Sequence, residues 1–117
     1  MNLDVDERPN SVAVIRWTES TVLDASNADE LRHRFQEVER NTSRLVLDMS
    51  QVQFVDSSII GALVGLLRRT HAAGGDVKIA ALPPELETIF ELTRLQRVFR
   101  ILPSVDEAVR DFDAAGA

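Results

Sequence analysis

The sequence predicts an α/β fold in which helices pack on a largely parallel sheet. Hydrophobic periodicity switches repeatedly between strand-like and helix-like spacing, an almost continuous apolar run lies at 45–49, and turn signals separate the segments. A length of 117 residues is typical of one domain, and neither a linker nor an internal repeat interrupts the chain. We therefore expect a single domain over 1–117, with an ordered core at about 3–112 and a flexible tail at 113–117.

The N-terminal third is predicted to contain two strands and a helix. Leu3 and Val5 mark a short first strand, and a turn at Pro9-Asn10 separates it from a second strand at 12–17. The polar segment 19–21 is expected to form a loop. Apolar residues of one helical face follow: Ala28, Leu31, Phe35 and Val38. Three residues before them are candidate helix caps: Asp24, Ser26 and Asn27.

The central third is predicted to carry a buried strand, a strand-to-helix junction and a long helix. Residues 45–49 have the composition of a strand covered on both faces. A second buried strand at 52–55 leads into Asp56-Ser57-Ser58. The helix after this junction bears six apolar residues: Ile59, Ile60, Leu63, Val64, Leu66 and Leu67. Gly74-Gly75 ends it, because glycine readily adopts the left-handed conformation found at helix C-termini.

The C-terminal third repeats the alternation of strand and helix. Residues 77–82 form a strand, and Pro83-Pro84 opens a helix, where proline suits the first turn. A last strand at 98–102 precedes the capping box formed by Ser104 and Glu107, which starts the final helix.

Composition excludes several classes of function. The formal net charge of −6 disfavours nucleic-acid binding, which depends on lysine and arginine neutralising phosphates. No apolar run approaches the roughly 20 residues that span a bilayer, and the acidic start does not resemble a signal peptide. We therefore expect a cytoplasmic protein with neither a nucleic-acid nor a membrane partner, and we favour a monomer.

No catalytic residue, cofactor or metal site is predicted. The absence of cysteine excludes disulfides, thiolate metal ligands and cysteine nucleophiles. The two histidines, His33 and His71, lie on predicted helices without a cluster of further ligands. Neither the dinucleotide-binding nor the P-loop spacing of glycines is present.

The junction Asp56-Ser57-Ser58 has two interpretations when it is considered alone. Asp56 or Ser57 caps the following helix, which stabilises it by roughly 1 kcal/mol. Alternatively, Ser57 carries a phosphate, because the positive end of a helix dipole favours negative charge. Caps are common, so the local sequence by itself favours the first interpretation.

The wider context resembles the STAS domain and, more narrowly, the anti-sigma factor antagonist family. The family's usual central pattern is Asp-Ser-(Ser/Thr/Ala)-Gly-Leu-Gly, and the chain has Asp-Ser-Ser-Ile-Ile-Gly at 56–61. The segments at 23–31 and 89–95 are similar to those before the family's first helix and before its final strand. The resemblance covers about residues 3–112 and implies a STAS-type fold: about five strands, largely parallel but mixed at the edge, with about four helices.

The resemblance also implies a partner-switching regulator that is not an enzyme. In the family, the serine after the aspartate is phosphorylated by a serine kinase that is itself the anti-sigma factor, and a serine phosphatase reverses the modification. That serine corresponds to Ser57. The residues predicted to bind the partner are Asp56, Ser57, Ser58, Ile59, Gly61 and Arg68.

Two positions depart from the family pattern. Ile59 replaces the first glycine of the motif. It either hinders the close approach of a kinase, supplies an apolar contact to a different partner, or joins the core. Arg94 stands where the family often has glycine, which changes the local turn.

Two other functions remain open from the sequence. The first is a STAS scaffold or structural subunit of a transport or signalling complex, in which Ser57 serves only as a helix cap. The second is a small enzyme or nucleotide-binding domain of flavodoxin-like appearance, which the missing glycine-rich phosphate loop disfavours.

Overall fold

A five-stranded sheet forms the centre of the protein, whose structure, a computed structural model, describes residues 1–115. The strands and helices in this range are β1 Leu3–Arg8, β2 Val12–Trp17, β3 Thr21–Leu23, α1 Ala28–Glu39, β4 Arg44–Asp48, β5 Val52–Val55, α2 Ser57–Ala72, β6 Asp76–Ala80, α3 Pro84–Leu92, β7 Arg100–Leu102 and α4 Val105–Ala115. The main sheet has the order β1-β2-β4-β6-β7, and only β1 and β2 pair in antiparallel orientation. The predicted fold class is therefore confirmed.

Helices cover both faces of the main sheet, which explains why its central strands are so rich in apolar residues. Val12 and Val14 of β2 pack with Phe112 of α4 on one face. Ile15 and Trp17 face the other way, into a larger core shared with α1, α2 and α3. The residues of β4 at 45–47 are completely buried, as predicted for a strand covered on both faces.

Charged side chains connect α4 to the sheet face on which it packs. The Lys78 ammonium group donates to the Asp111 carboxylate at 2.5 Å and lies 4.4 Å from the centroid of the Phe112 ring. Arg100 also donates to Asp111, with Nε at 3.1 Å. The hydrogen bonds from Arg100 and Lys78 lower the pKa of Asp111 from 3.8 to about 2. Because the Lys78 side chain is only 5% exposed, Asp111 supplies the opposite charge beside a buried ammonium group.

Replacing Asp111 with asparagine is expected to lower the free energy of unfolding at pH 7 by about 2 kcal/mol. A carboxylate with a lowered pKa stabilises the fold above its ordinary pKa, and that contribution is lost as the pH falls from about 4 to about 2. Urea unfolding of both proteins at several pH values measures the difference, which should shrink in acid. The control Asp4→Asn, an exposed carboxylate 3.9 Å from Arg16, should change stability by less than about 0.5 kcal/mol. A difference for Asp111→Asn that is independent of pH would contradict this account.

The helical part of α4 extends further than the sequence suggested. Residues 113–115, predicted to belong to the flexible tail, continue the helix, while 116–117 lie outside the described residues. Two contacts near this end explain the extension: Asn10 Nδ2 donates to Asp113 Oδ1 at 2.8 Å, and Arg44 donates to the Phe112 carbonyl at 2.9 Å.

Strands β3 and β5 form a separate two-stranded parallel ribbon outside the main sheet. This ribbon differs from two predictions. Thr21, placed in a loop from the sequence, begins β3. The strand at 52–55, predicted to be buried, pairs with β3 alone and leaves the Phe54 side chain 45% exposed. The pairing depends on contacts about 30 residues apart, which local periodicity does not reveal.

Arg94 adopts a backbone conformation that explains why glycine suits this position. Its φ of 61° and ψ of 24° lie in the left-handed region, where a side chain with a Cβ is strained. The turn leads through a short 3₁₀ segment at Leu95–Arg97 toward β7. The departure from the family pattern therefore changes local strain and leaves the path of the chain intact.

Candidate functional site at the start of α2

Asp56 is the N-cap of α2, so one of the two predicted roles of the junction is present. Its Oδ1 atom accepts hydrogen bonds from the backbone N–H groups of Ser58 at 2.9 Å and Ile59 at 3.1 Å. The Ser58 hydroxyl donates to the same oxygen at 2.5 Å. These bonds satisfy donors that a helix N-terminus leaves free. Ser57 follows the cap as the first helical residue, so the alternative in which Ser57 itself caps the helix is wrong.

The second carboxylate oxygen of Asp56 ties α2 to the loop between β3 and α1. Asp56 Oδ2 accepts from the Ala25 backbone N–H at 3.0 Å, across 31 positions of sequence. The Ser58 hydroxyl, together with the N–H groups of Ile59, Ala25 and Ser58, lowers the pKa of Asp56 below its usual value. The carboxylate therefore stays ionised at neutral pH and holds the two segments together.

Side chains that were predicted to cap α1 form hydrogen bonds within the same loop instead. Asn27 is the N-cap residue of α1, but its side chain makes no capping bond to the helix. Its Oδ1 instead accepts from the Asp24 N–H at 2.9 Å, and its Nδ2 donates to the Val22 carbonyl at 3.0 Å. Asp24 Oδ1 in turn accepts from the Ser26 N–H at 2.9 Å. These residues shape the loop beside Asp56 rather than the start of α1.

Ser57 is exposed at the positive end of α2. Within the described part of the chain, its hydroxyl takes part in no hydrogen bond. Because Asp56 performs the capping, the Ser57 hydroxyl is not needed to hold the helix. A group attached to this oxygen would enter solvent without displacing core residues.

The other residues predicted to bind a partner differ in their exposure and in their distance from Ser57. Ile59 is completely buried in the core, so its side chain is not available to a partner and the core alternative is correct. Ser58 is half-buried and bonded to Asp56, whereas Gly61 is exposed with open space beside it. Arg68 is exposed but lies eleven residues after Ser57, about 16 Å along the helix. Only a partner extending along α2 would touch both Ser57 and Arg68.

Sequence reasoning missed an apolar patch beside the junction. Val22 of β3 and Phe54 of β5 are direct partners in the ribbon, and their side chains are 47% and 45% exposed. Phe54 precedes Asp56 by two residues. The alternation of buried Thr21 and Leu23 with exposed Val22 is the signal of a strand with one open face. We call Val22 and Phe54 the ribbon patch.

Neither a metal centre nor a membrane span is found among the described residues. No group of three or more histidine, aspartate and glutamate side chains within 1–115 is placed to hold a metal ion. His33 is exposed, and His71 Nε2 lies 2.9 Å from Asp76 Oδ1 at the end of α2. Over the same range, no helix combines the length and the apolar character needed to cross a bilayer.

Comparison with known families places this fold and junction in one class. The family model of the STAS domain matches residues 3–108. The chain therefore belongs to the STAS domain family.

The chain is also similar to individual characterised proteins. It is 28% identical over 112 residues to the anti-sigma F factor antagonist of Paenibacillus polymyxa, covering 93% of this chain and 92% of that protein. The crystal structure of an anti-sigma factor antagonist from Mycobacterium paratuberculosis superposes with a TM-score of 0.81 at 23% identity, covering 94% of this chain and 92% of the other. The Bacillus cell fate determinant SpoIIAA in its phosphorylated form gives a TM-score of 0.70 at 18% identity, covering 94% and 98%.

Proposed function

We propose that this protein is an anti-sigma factor antagonist that switches partners by reversible phosphorylation of Ser57. Unphosphorylated protein binds an anti-sigma factor that is also a serine kinase, and the sigma factor is released. Phosphorylated protein lets the kinase go until a serine phosphatase restores the hydroxyl. The whole cycle takes place in the cytoplasm, and this chain performs no catalysis.

One observation carries the proposal: the Ser57 hydroxyl is exposed at the start of α2 while Asp56 caps the helix. A phosphate adds about −1.5 to −2 charges at this point without breaking a structural hydrogen bond. The names of its relatives support the assignment, since the matched protein of Paenibacillus polymyxa is an anti-sigma factor antagonist. The related SpoIIAA exists in a phosphorylated form.

The chemical step is a phosphoryl transfer in which this protein supplies only the acceptor. The Ser57 oxygen forms a bond to the γ-phosphorus of ATP as the bond to the β–γ bridging oxygen breaks. ADP leaves, and the serine proton passes to a base of the kinase. Exposure of the acceptor suits this role, because the catalytic groups must approach from the partner.

Incubation with the cognate anti-sigma factor kinase and ATP should place one phosphate on Ser57, as read by mass spectrometry of peptides. Ser57→Ala should abolish incorporation, whereas Ser58→Ala should retain it. Ser58 is the matched control because its hydroxyl is adjacent in sequence but is bonded to Asp56. Incorporation on Ser58, or none at all, would overturn the assignment.

The ribbon patch supplies the apolar part of the proposed docking surface. Exposed aromatic side chains near the centre of an interface often contribute most of the binding energy. Phe54 and Val22 lie side by side, and Phe54 is two residues from Asp56. A partner that reaches Ser57 therefore also covers this patch.

Phe54→Ala is expected to weaken binding of the anti-sigma factor by roughly ten- to a hundredfold, because truncation removes an anchor of the interface. Isothermal titration calorimetry measures the change. The control is Val5→Ala, which truncates an exposed apolar side chain on β1, a strand that pairs with β2 and not with the ribbon. Equal affinities of the Phe54→Ala and Val5→Ala proteins for the anti-sigma factor would show that the ribbon patch is not part of the interface.

A further inference from the structure

Arg32 of α1 reaches across to the first turn of α2. Its Nη2 atom donates to the Ser58 carbonyl oxygen at 3.4 Å, and its Nη1 atom donates to Asp29 Oδ1 at the same distance of 3.4 Å. Both bonds are long, and the Arg32 side chain is 44% exposed. The guanidinium group is therefore held loosely beside the residue that follows Ser57.

Three backbone donors near Ser57 are already occupied. The N–H groups of Ser58, Ile59 and Ala25 all donate to Asp56, as described above. A phosphate on Ser57 would lie beside an ionised carboxylate that already accepts from these three N–H groups. A cation from a neighbouring element would offset part of the repulsion between the two anions.

Arg32 is placed to supply that cation. Arg32 already contacts Ser58, whose α-carbon is about 3.8 Å from that of Ser57, and its long side chain is flexible and exposed. The arginines late in α2, Arg68 and Arg69, lie about 16 and about 18 Å further along the helix. Arg69 is in addition bonded to Glu39 at 2.7 Å.

We propose that Arg32 is the phosphate-binding residue of the phosphorylated protein. Its guanidinium group leaves the Ser58 carbonyl and Asp29 and donates to the phosphoryl oxygens on Ser57. Phosphorylation then has two effects on the docking surface: it adds negative charge and it engages an arginine that is loosely held in the unmodified protein. This inference rests on the proposed phosphorylation of Ser57.

The test uses full-length protein with phosphoserine incorporated at position 57 during translation, so no kinase is required. Phosphorus NMR follows the second ionisation of the phosphate in the parent, in Arg32→Gln and in Arg40→Gln. The parent and Arg40→Gln should titrate together, and Arg32→Gln should show a phosphate pKa higher by about 0.5 or more, because a nearby cation favours the dianion. Arg32→Lys should lie between them.

Arg40 is a matched control, since it is an exposed arginine at the opposite end of α1. The carboxylates around the junction, Asp24, Asp29 and Asp56, are present in every variant, so their effect cancels in the comparison. Equal phosphate pKa values in the parent and Arg32→Gln would overturn the inference, as would an equal shift in Arg40→Gln. Failure of the proposed function would be seen separately, as no phosphate transfer to Ser57 from a kinase.

Discussion

Ser57→Asp is expected to weaken binding of the anti-sigma factor by about a hundredfold or more, whereas Ser57→Ala should bind at least as well as the parent. Placing a negative charge in an interface costs several kcal/mol through desolvation and like-charge repulsion, and a hundredfold loss requires only about 2.7 kcal/mol. The neighbouring Asp56 carboxylate, which stays ionised, adds to the repulsion. Titration calorimetry with the purified partner measures the affinities.

Ser57→Asn separates charge from shape in this comparison. Asparagine has nearly the same size as aspartate but is neutral, so it should bind within about tenfold of the parent. All four proteins should melt within a few degrees of one another, because Asp56 rather than Ser57 caps α2. Equal binding by the aspartate and asparagine variants would show that charge at this position does not control docking.

Gly75→Ala is expected to lower the free energy of unfolding by about 3 kcal/mol or more. A Cβ atom at Gly75 would lie 1.9 Å from the Ser43 carbonyl oxygen and 2.6 Å from the Ser43 carbonyl carbon. Ser43 immediately precedes β4, and its carbonyl accepts from the Asp76 N–H at 2.9 Å. Relief of the clash must move backbone where β4 and β6 begin, and these two strands are neighbours in the main sheet. Urea unfolding measures the loss.

Gly61→Ala is the matched control for that substitution. Gly61 is exposed in α2, and apart from the backbone of its own helix turn no atom lies within 4 Å of where its Cβ would be. Alanine in a helix interior is more stable than glycine, so this variant should gain roughly 0.5–1 kcal/mol. If both variants changed stability by a similar amount, the close approach between Gly75 and Ser43 would not be the cause.

The main sheet and its helices are predictable because each has a strong local pattern. Phe35 and Val38 recur with the helical period that buries one face of α1, and β4 is apolar enough to be covered on both sides. The ribbon formed by β3 and β5 has no comparably strong local pattern. The three residues of β3 are too few for a clear alternation, and membership of one sheet or another depends on partners distant in sequence.

The candidate site was predictable only in its central residues. The Asp-Ser-Ser junction is visible as a short motif, and the cap at Asp56 follows from the preference of aspartate for that position. The link from Ala25 to Asp56 joins residues 31 positions apart, and the contact of Arg32 with Ser58 joins residues 26 apart. The sequence left Ile59 open to a partner contact or to a place in the core. Its complete burial follows from its place on the inner face of α2.

The four hydrogen bonds accepted by the Asp56 carboxylate couple two segments that are far apart in the chain. A fluctuation that withdraws this carboxylate releases the Ala25 amide and the first turn of α2 at the same moment. We therefore expect the amide hydrogens of Ala25, Ser58 and Ile59 to share one opening equilibrium and to exchange with solvent at a common rate.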